Sequence, residues 1–144
     1  MKKHIDRAII RLVIATGISS VVTQLLTIRE VLAQFQGNEI VIALVLFNWL
    51  CLGGLGTLLA RVITRRPWKA TIIKLGWLSL VLCGLSALQL PAIRELRNLI
   101  FISGSSVGFY PTWLFSFLSI APYCLLLGFL LPFSLFVIRA GISD

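Results

Sequence analysis

The sequence predicts an all-α, polytopic membrane protein with four transmembrane helices, short loops and both termini in the cytoplasm. Three observations predict this fold. Hydrophobic residues make up 58% of the chain and charged residues only 12%, whereas a soluble domain has about 25% charged residues. Four stretches lack Asp, Glu, Lys, Arg and His. Each of them is about as long as a helix that crosses a bilayer, or longer. The basic residues collect at one end of these stretches.

The composition excludes several other classes of protein. A water-soluble domain of 16.0 kDa could not bury this much apolar surface. Disordered chains are poor in hydrophobic residues, and disulfide-rich secreted modules contain far more than three cysteines. The apolar stretches also lack the alternating pattern of β-barrel strands, so helices are the structure that satisfies the backbone in lipid.

The net charge of +8 is explained by membrane topology. Ten of the 13 basic residues lie before the first stretch, between the second and the third, or after the fourth. The other three, Arg29, Arg94 and Arg97, lie among acidic residues. By the positive-inside rule the basic side is cytoplasmic. The expected partner of these charges is therefore the lipid bilayer with its anionic headgroups, and no nucleic acid is predicted to bind.

The predicted helices span about residues 8–36, 39–60, 70–90 and 112–138, in one membrane domain that covers residues 1–144. A short further helix at about residues 91–101 is predicted to lie in the outer interface, because Ile93, Leu96 and Ile100 share a face opposite charged residues. Pro122 and Pro132 are expected to kink or tilt the fourth helix.

The first helix carries a polar stripe. Its residues recur at spacings of three and four, which places them along one side of a helix: Thr16, Ser19, Ser20, Thr23, Gln24, Thr27 and Glu30. Thr23 and Gln24 are its members deep in the membrane. Two interpretations stay open. The stripe packs against other helices, which we favour, or it lines a path for a polar substrate.

Residues 28–39 predict a tight hairpin between the first two helices. Gly37 suits the left-handed position after a helix end, Asn38 suits an N-cap, and Glu39 suits the positive end of the helix dipole. Arg29 and Glu30 lie near or just below the outer interface, either as an ordinary interfacial pair or as groups that need specific partners. We expect Arg29 to bond Glu39 or a carbonyl at the hairpin tip.

The second helix combines small residues with a polar one. Gly53, Gly54 and Gly56 form a cluster of small residues. Thr57 follows Gly53 by four residues and Ala60 follows Gly56 by four, so Gly53 and Gly56 each form a small-xxx-small pair. Such pairs let another helix approach closely, although they do not identify it. Asn48 lies near the middle of the span, and we expect it to face protein.

Residues that perform catalysis or bind metals are scarce. His4 is the only histidine, so the chain cannot ligate a haem through two histidines. The three cysteines fall in different predicted helices, and no carboxylate pair, nucleophile–base set or phosphate-binding loop is present. We therefore predict no enzymatic activity, no metal and no cofactor.

Several segments resemble the spermidine-synthase-like integral membrane proteins. Gly17-Ile-Ser-Ser-Val-Val-Thr-Gln24, Ile28-Arg-Glu30 and Phe35-Gln-Gly-Asn-Glu39 are similar to the first helix of that family. Trp49-Leu-Cys-Leu-Gly-Gly-Leu-Gly56 resembles the second helix, and Leu125-Leu-Leu-Gly-Phe-Leu-Leu-Pro132 the fourth. These bacterial proteins join a membrane domain, loosely similar to major facilitator transporters, to an aminopropyltransferase-like domain. The sequence has no positions that match the soluble domain, so the resemblance implies the membrane module without the enzyme, in a bacterial inner membrane.

Three functions remain open from the sequence. The first, which we favour, is a non-catalytic membrane subunit that docks onto, anchors or stabilises a larger complex of membrane chains. The second is half of a small-molecule transporter that acts as a dimer. The third is the membrane half of a split aminopropyltransferase-like enzyme.

Overall fold

Four α-helices form the fold in a computed structural model that describes residues 2–35, 39–64, 72–101 and 107–142. They are α1 (Lys2–Gln34), α2 (Glu39–Thr64), α3 (Ile72–Ile100) and α4 (Phe109–Ile142). Each helix is long and apolar enough to cross a membrane. The predicted all-α fold with four helices of membrane-spanning length is thus confirmed.

The most buried helix is α4, which packs against all three others and most extensively against α2. Large side chains at its centre, including Ile120, Tyr123, Leu130 and Phe133, are almost completely buried. The helices α1 and α3 expose far more apolar surface. In a membrane protein this surface faces lipid or other chains, since lipid tails are as apolar as leucine.

Contacts between the helices show which pairs of helices run in the same direction. Thr27 of α1 meets Gln89 of α3, and Glu30, one turn later, meets Arg94, so α1 and α3 are parallel. In α2, Asn48 meets Ser116 and Thr57 meets Gly128, so α2 and α4 are parallel as well.

Three phenylalanines mark one end of the bundle, which we call the aromatic end. Phe35 follows α1, Phe101 follows α3, and Phe115 lies in the second turn of α4. Their ring centroids are 5.4 Å apart for Phe35–Phe115, 5.7 Å for Phe101–Phe115 and 5.9 Å for Phe35–Phe101. These distances suit edge-to-face contacts, which hold the ends of three helices together. The opposite end is the basic end, where the basic residues with described side chains are Arg7, Arg11, Arg61, Lys74 and Arg139.

The prediction of a separate interfacial helix at about residues 91–101 is wrong. Instead, α3 continues through Pro91 to Ile100. Proline removes one backbone hydrogen bond, but helices in membranes tolerate this loss where neighbouring helices hold the chain. On either side of Pro91, Gln89 and Arg94 both bond to α1, so α1 holds α3 before and after the proline.

The other helix bounds differ from the predicted ones mainly at the ends. The helix α1 begins earlier, at Lys2, α2 continues to Thr64, and α4 runs from Phe109 to Ile142. The predicted bounds followed the apolar stretch that fills the bilayer core. A helix continues beyond that stretch because its backbone hydrogen bonds do not depend on lipid.

Candidate functional site

An ion pair joins α1 to α3 near the aromatic end. The Nε and Nη2 atoms of Arg94 donate to the two carboxylate oxygens of Glu30 at 2.6 and 2.8 Å. The Glu30 side chain is only 11% exposed, whereas that of Arg94 is 62% exposed. A bidentate pair of this kind fixes the relative orientation of its two groups. It also neutralises a carboxylate that would be costly to leave unpaired at this depth.

Hydrogen bonds continue this contact along both helices. Gln34 donates its Nε2 to Glu30 Oε1 at 3.1 Å, and Gln89 donates its Nε2 to Thr27 Oγ1 at 2.9 Å. Thr27 in turn donates to the Thr23 carbonyl oxygen at 2.7 Å. We call Thr27, Glu30, Gln34, Gln89 and Arg94 the polar seam. It couples α1 to α3 through side chains that are polar but, taken together, carry no net charge.

The sequence reasoning missed Arg94 as the partner of Glu30. A signal was present, because the positive-inside pattern had already placed both residues on the same side of the membrane. The expected bond from Arg29 to Glu39 is not formed: both side chains are exposed, and the described residues contain no ion pair between them. Gly37 and Asn38, and with them the carbonyls of the hairpin tip, lie outside the described residues.

Of the other residues of the polar stripe on α1, some face the bundle and others do not. Thr16 and Thr23 are buried, whereas Gln24 is half-buried and Ser19 is exposed. Thr16 donates to the Leu12 carbonyl oxygen at 2.8 Å, a bond within its own helix. Thr16 and Thr23 therefore lie against protein, whereas Gln24 does so only in part.

Asn48 lies at the interface between α2 and α4 and is completely buried. Its Nδ2 donates to Ser116 Oγ at 2.9 Å and lies 3.4 Å from the Trp113 carbonyl oxygen. Ser116 also donates to that carbonyl at 2.9 Å. Asn48 thus faces a neighbouring helix of the same chain.

Gly53 and Gly56 of α2 lie where this helix approaches α4 closely. A Cβ atom added to Gly56 would overlap the Leu125 carbonyl oxygen, and one added to Gly128 would overlap the Gly53 carbonyl oxygen. Thr57 Oγ1 lies 3.1 Å from both the Gly53 and the Gly128 carbonyl oxygens. The helix that the small-xxx-small pairs contact is therefore α4. Gly54 is exposed, and an added Cβ there would meet nothing within 4 Å.

Some buried polar atoms have no hydrogen-bond partner. In the described part of the chain they are Asn48 Oδ1, Gln89 Oε1, Arg97 Nε, Ser119 Oγ and Tyr123 Oη. Buried polar groups in proteins normally have a partner, so each unpaired one calls for an explanation. Asn48, Gln89 and Tyr123 lie in the interior of the bundle, whereas Ser119 is half-buried on α4 and Arg97 lies near the aromatic end.

The polar side chains meet one another across helix interfaces. Among the residues with described positions, no group of three or more His, Cys, Asp or Glu side chains is placed to hold a metal ion.

Comparison of the chain with known protein families, with curated proteins and with solved structures finds no match.

Proposed function

We propose that this protein is a non-catalytic integral membrane subunit that docks onto, anchors or stabilises a larger complex of membrane chains. The observation that supports this proposal is the position of Arg29. Its neighbour Glu30 is bound by Arg94 within the chain, whereas Arg29 is exposed and makes no ion pair with any described residue. It therefore presents a permanent positive charge on the outside of α1, because arginine stays protonated.

The depth of Arg29 in the membrane makes it energetically favourable for this residue to bind a partner. It lies five residues before the end of α1, which corresponds to about 8 Å along the helix axis. An unpaired arginine costs about 2.5–3.5 kcal/mol at the bilayer centre on insertion scales, and less towards the interface. An acidic or polar group on another chain would remove that cost.

Arg29 ends an apolar stripe on the same side of α1. Ile14, Ile18, Val21 and Leu25 precede it at spacings of three and four, and all are more than half exposed. We call these four residues with Arg29 the docking face. Its periodicity is that of a helix that packs along another helix.

Photo-crosslinking from the docking face tests this proposal. A photoreactive amino acid replaces Ile18 or Val21, and matched control positions are Leu50 and Leu58, which are exposed on α2. We expect the α1 positions to crosslink a second, different membrane chain, and Arg29→Gln to reduce that product. Crosslinks to lipid alone from the α1 positions would contradict the proposal.

A second candidate is half of a small-molecule transporter that acts as a dimer. It is favoured by the buried atoms without partners, Asn48 Oδ1 and Gln89 Oε1, because polar groups inside a membrane often mark a substrate path. In the same experiment this function predicts crosslinks between two copies of this chain and to no other protein.

The resemblance to spermidine-synthase-like membrane proteins supports a third candidate, the membrane half of a split aminopropyltransferase-like enzyme. It predicts a crosslinked or co-purifying chain with a synthase-like fold. For all three candidates we propose a bacterial inner membrane and cytoplasmic termini, which are supported by the concentration of basic residues at the basic end.

A further inference from the structure

An apolar groove of about 360 Å³ lies between the end of α3 and the beginning of α4. Leu96, Ile100 and Phe101 line it from α3, and Leu114, Leu118 and Ser119 line it from α4. Its volume falls within the range of about 300–1,000 Å³ that is typical of small-ligand sites. Leu96, Ile100, Leu114 and Leu118 are exposed, so the groove is open to the surroundings of the bundle.

The shape of the groove suits a chain rather than a compact ligand. Along α4 it extends from Pro111 to Ser119, which corresponds to about 12 Å at 1.5 Å per residue. It therefore runs from the aromatic end towards the middle of the bundle. Its lining is apolar except for Ser119, whose buried hydroxyl has no partner.

Near this groove lies a cation, Arg97, that forms no ion pair with any other described residue. Arg97 precedes Ile100 and Phe101 by one helical turn, is half-buried, and has a buried Nε without a hydrogen-bond partner. Arg94 is bound by Glu30, so its charge is neutralised. Glu95 is two residues from Arg97, a spacing at which helical side chains do not face each other.

We propose that this groove binds one acyl chain of an anionic phospholipid, whose phosphate is bound by Arg97. The apolar lining covers the chain, and the guanidinium supplies donors and charge where the groove reaches the interface. The site is independent of the docking face, which lies on α1.

Native mass spectrometry of the detergent-purified chain tests this site. The probes are phosphatidylglycerol and phosphatidylcholine with identical acyl chains. We expect the wild type to retain one phosphatidylglycerol with about fivefold preference, as expected for one basic residue near anionic lipid. Arg97→Gln should abolish that preference, Arg97→Lys should keep most of it, and Leu118→Trp should weaken the retention of both lipids by filling the groove.

Arg29→Gln is the matched control, because it removes an arginine on the same end of the bundle but away from the groove. It should leave the preference unchanged. Equal retention of the two lipids by the wild type would overturn the proposal. So would an equal loss of preference in Arg97→Gln and Arg29→Gln, or unchanged retention in Leu118→Trp.

Discussion

At the scale of single residues, Glu30 is the most buried of the acids whose side chains the structure describes. It lies on the buried side of α1, and it accepts two hydrogen bonds from Arg94 and a third from Gln34. Removing one partner of such a pair leaves the other without compensation, while removing both leaves no buried charge. The pair is therefore expected to behave as a unit.

A double-mutant cycle measures this coupling. Arg94→Gln should lower the thermal stability in detergent markedly in the wild-type background but only slightly in the Glu30→Gln background, where no carboxylate remains unpaired. The matched cycle with Arg29→Gln and Glu39→Gln should be additive, because those two side chains form no ion pair. Additive losses for Glu30 and Arg94 would show that the pair is not formed.

Thr27 offers a second test of the polar seam. Thr27→Val should leave the buried Nε2 of Gln89 without an acceptor and destabilise the protein by about 1 kcal/mol. Ser86→Ala is the control, since this exposed hydroxyl bonds only to a carbonyl of its own helix, that of Cys83. Thermal unfolding in detergent compares them. Equal shifts for the two variants would contradict the role given to Thr27.

At this scale, the sequence predicts arrangements of residues that are close along the chain but not contacts between residues that are far apart along it. The spacing of Thr23, Thr27 and Glu30 predicts one side of a helix because that geometry is local. The partners Gln89 and Arg94 lie 62 and 64 residues away from theirs, and only the packing of α1 against α3 brings them together. The bond proposed from Arg29 to Glu39 followed chain proximity instead, which is why it was misplaced.

At the scale of helices, the tight contact between α2 and α4 depends on the absence of side chains. Gly128→Ala should push the two backbones apart, because the added Cβ would overlap the Gly53 carbonyl oxygen, and should cost about 1–3 kcal/mol. Gly54→Ala is the control: nothing lies within 4 Å of the added atom, and alanine favours helix by about 1 kcal/mol over glycine. Chemical denaturation in mixed micelles measures both. A Gly128→Ala variant as stable as Gly54→Ala would refute the close contact.

The extent of the helices was predictable only in part. Hydropathy predicts four spans because each must fill the bilayer core. The cluster Arg94, Glu95, Arg97 and Asn98 suggested a separate helix after Pro91, since charges rarely continue a membrane span. In the continuation of α3, Arg94 binds Glu30, and this contact is long-range, so no local pattern contains it.

At the scale of the whole molecule, the charge distribution predicts the orientation in the membrane. A membrane-impermeant maleimide should label Ser105→Cys in intact cells but label Asp144→Cys only after permeabilisation. The wild type, whose Cys51, Cys83 and Cys124 lie within helices, provides the background labelling. Labelling of both introduced cysteines from the same side would exclude the four-span topology.

We propose that the polar seam joins α1 to α3 and that Arg29 binds a second, different membrane chain; this is the central claim. The measurement that tests it most directly is the intact mass of the assembly extracted from its host membrane in mild detergent. We predict a mass well above the 16.0 kDa of the chain, with a different protein as the additional component, and a shift towards 16.0 kDa in Arg29→Gln. A mass of 16.0 kDa for the wild type, or one that is an integer multiple of it, would contradict the claim.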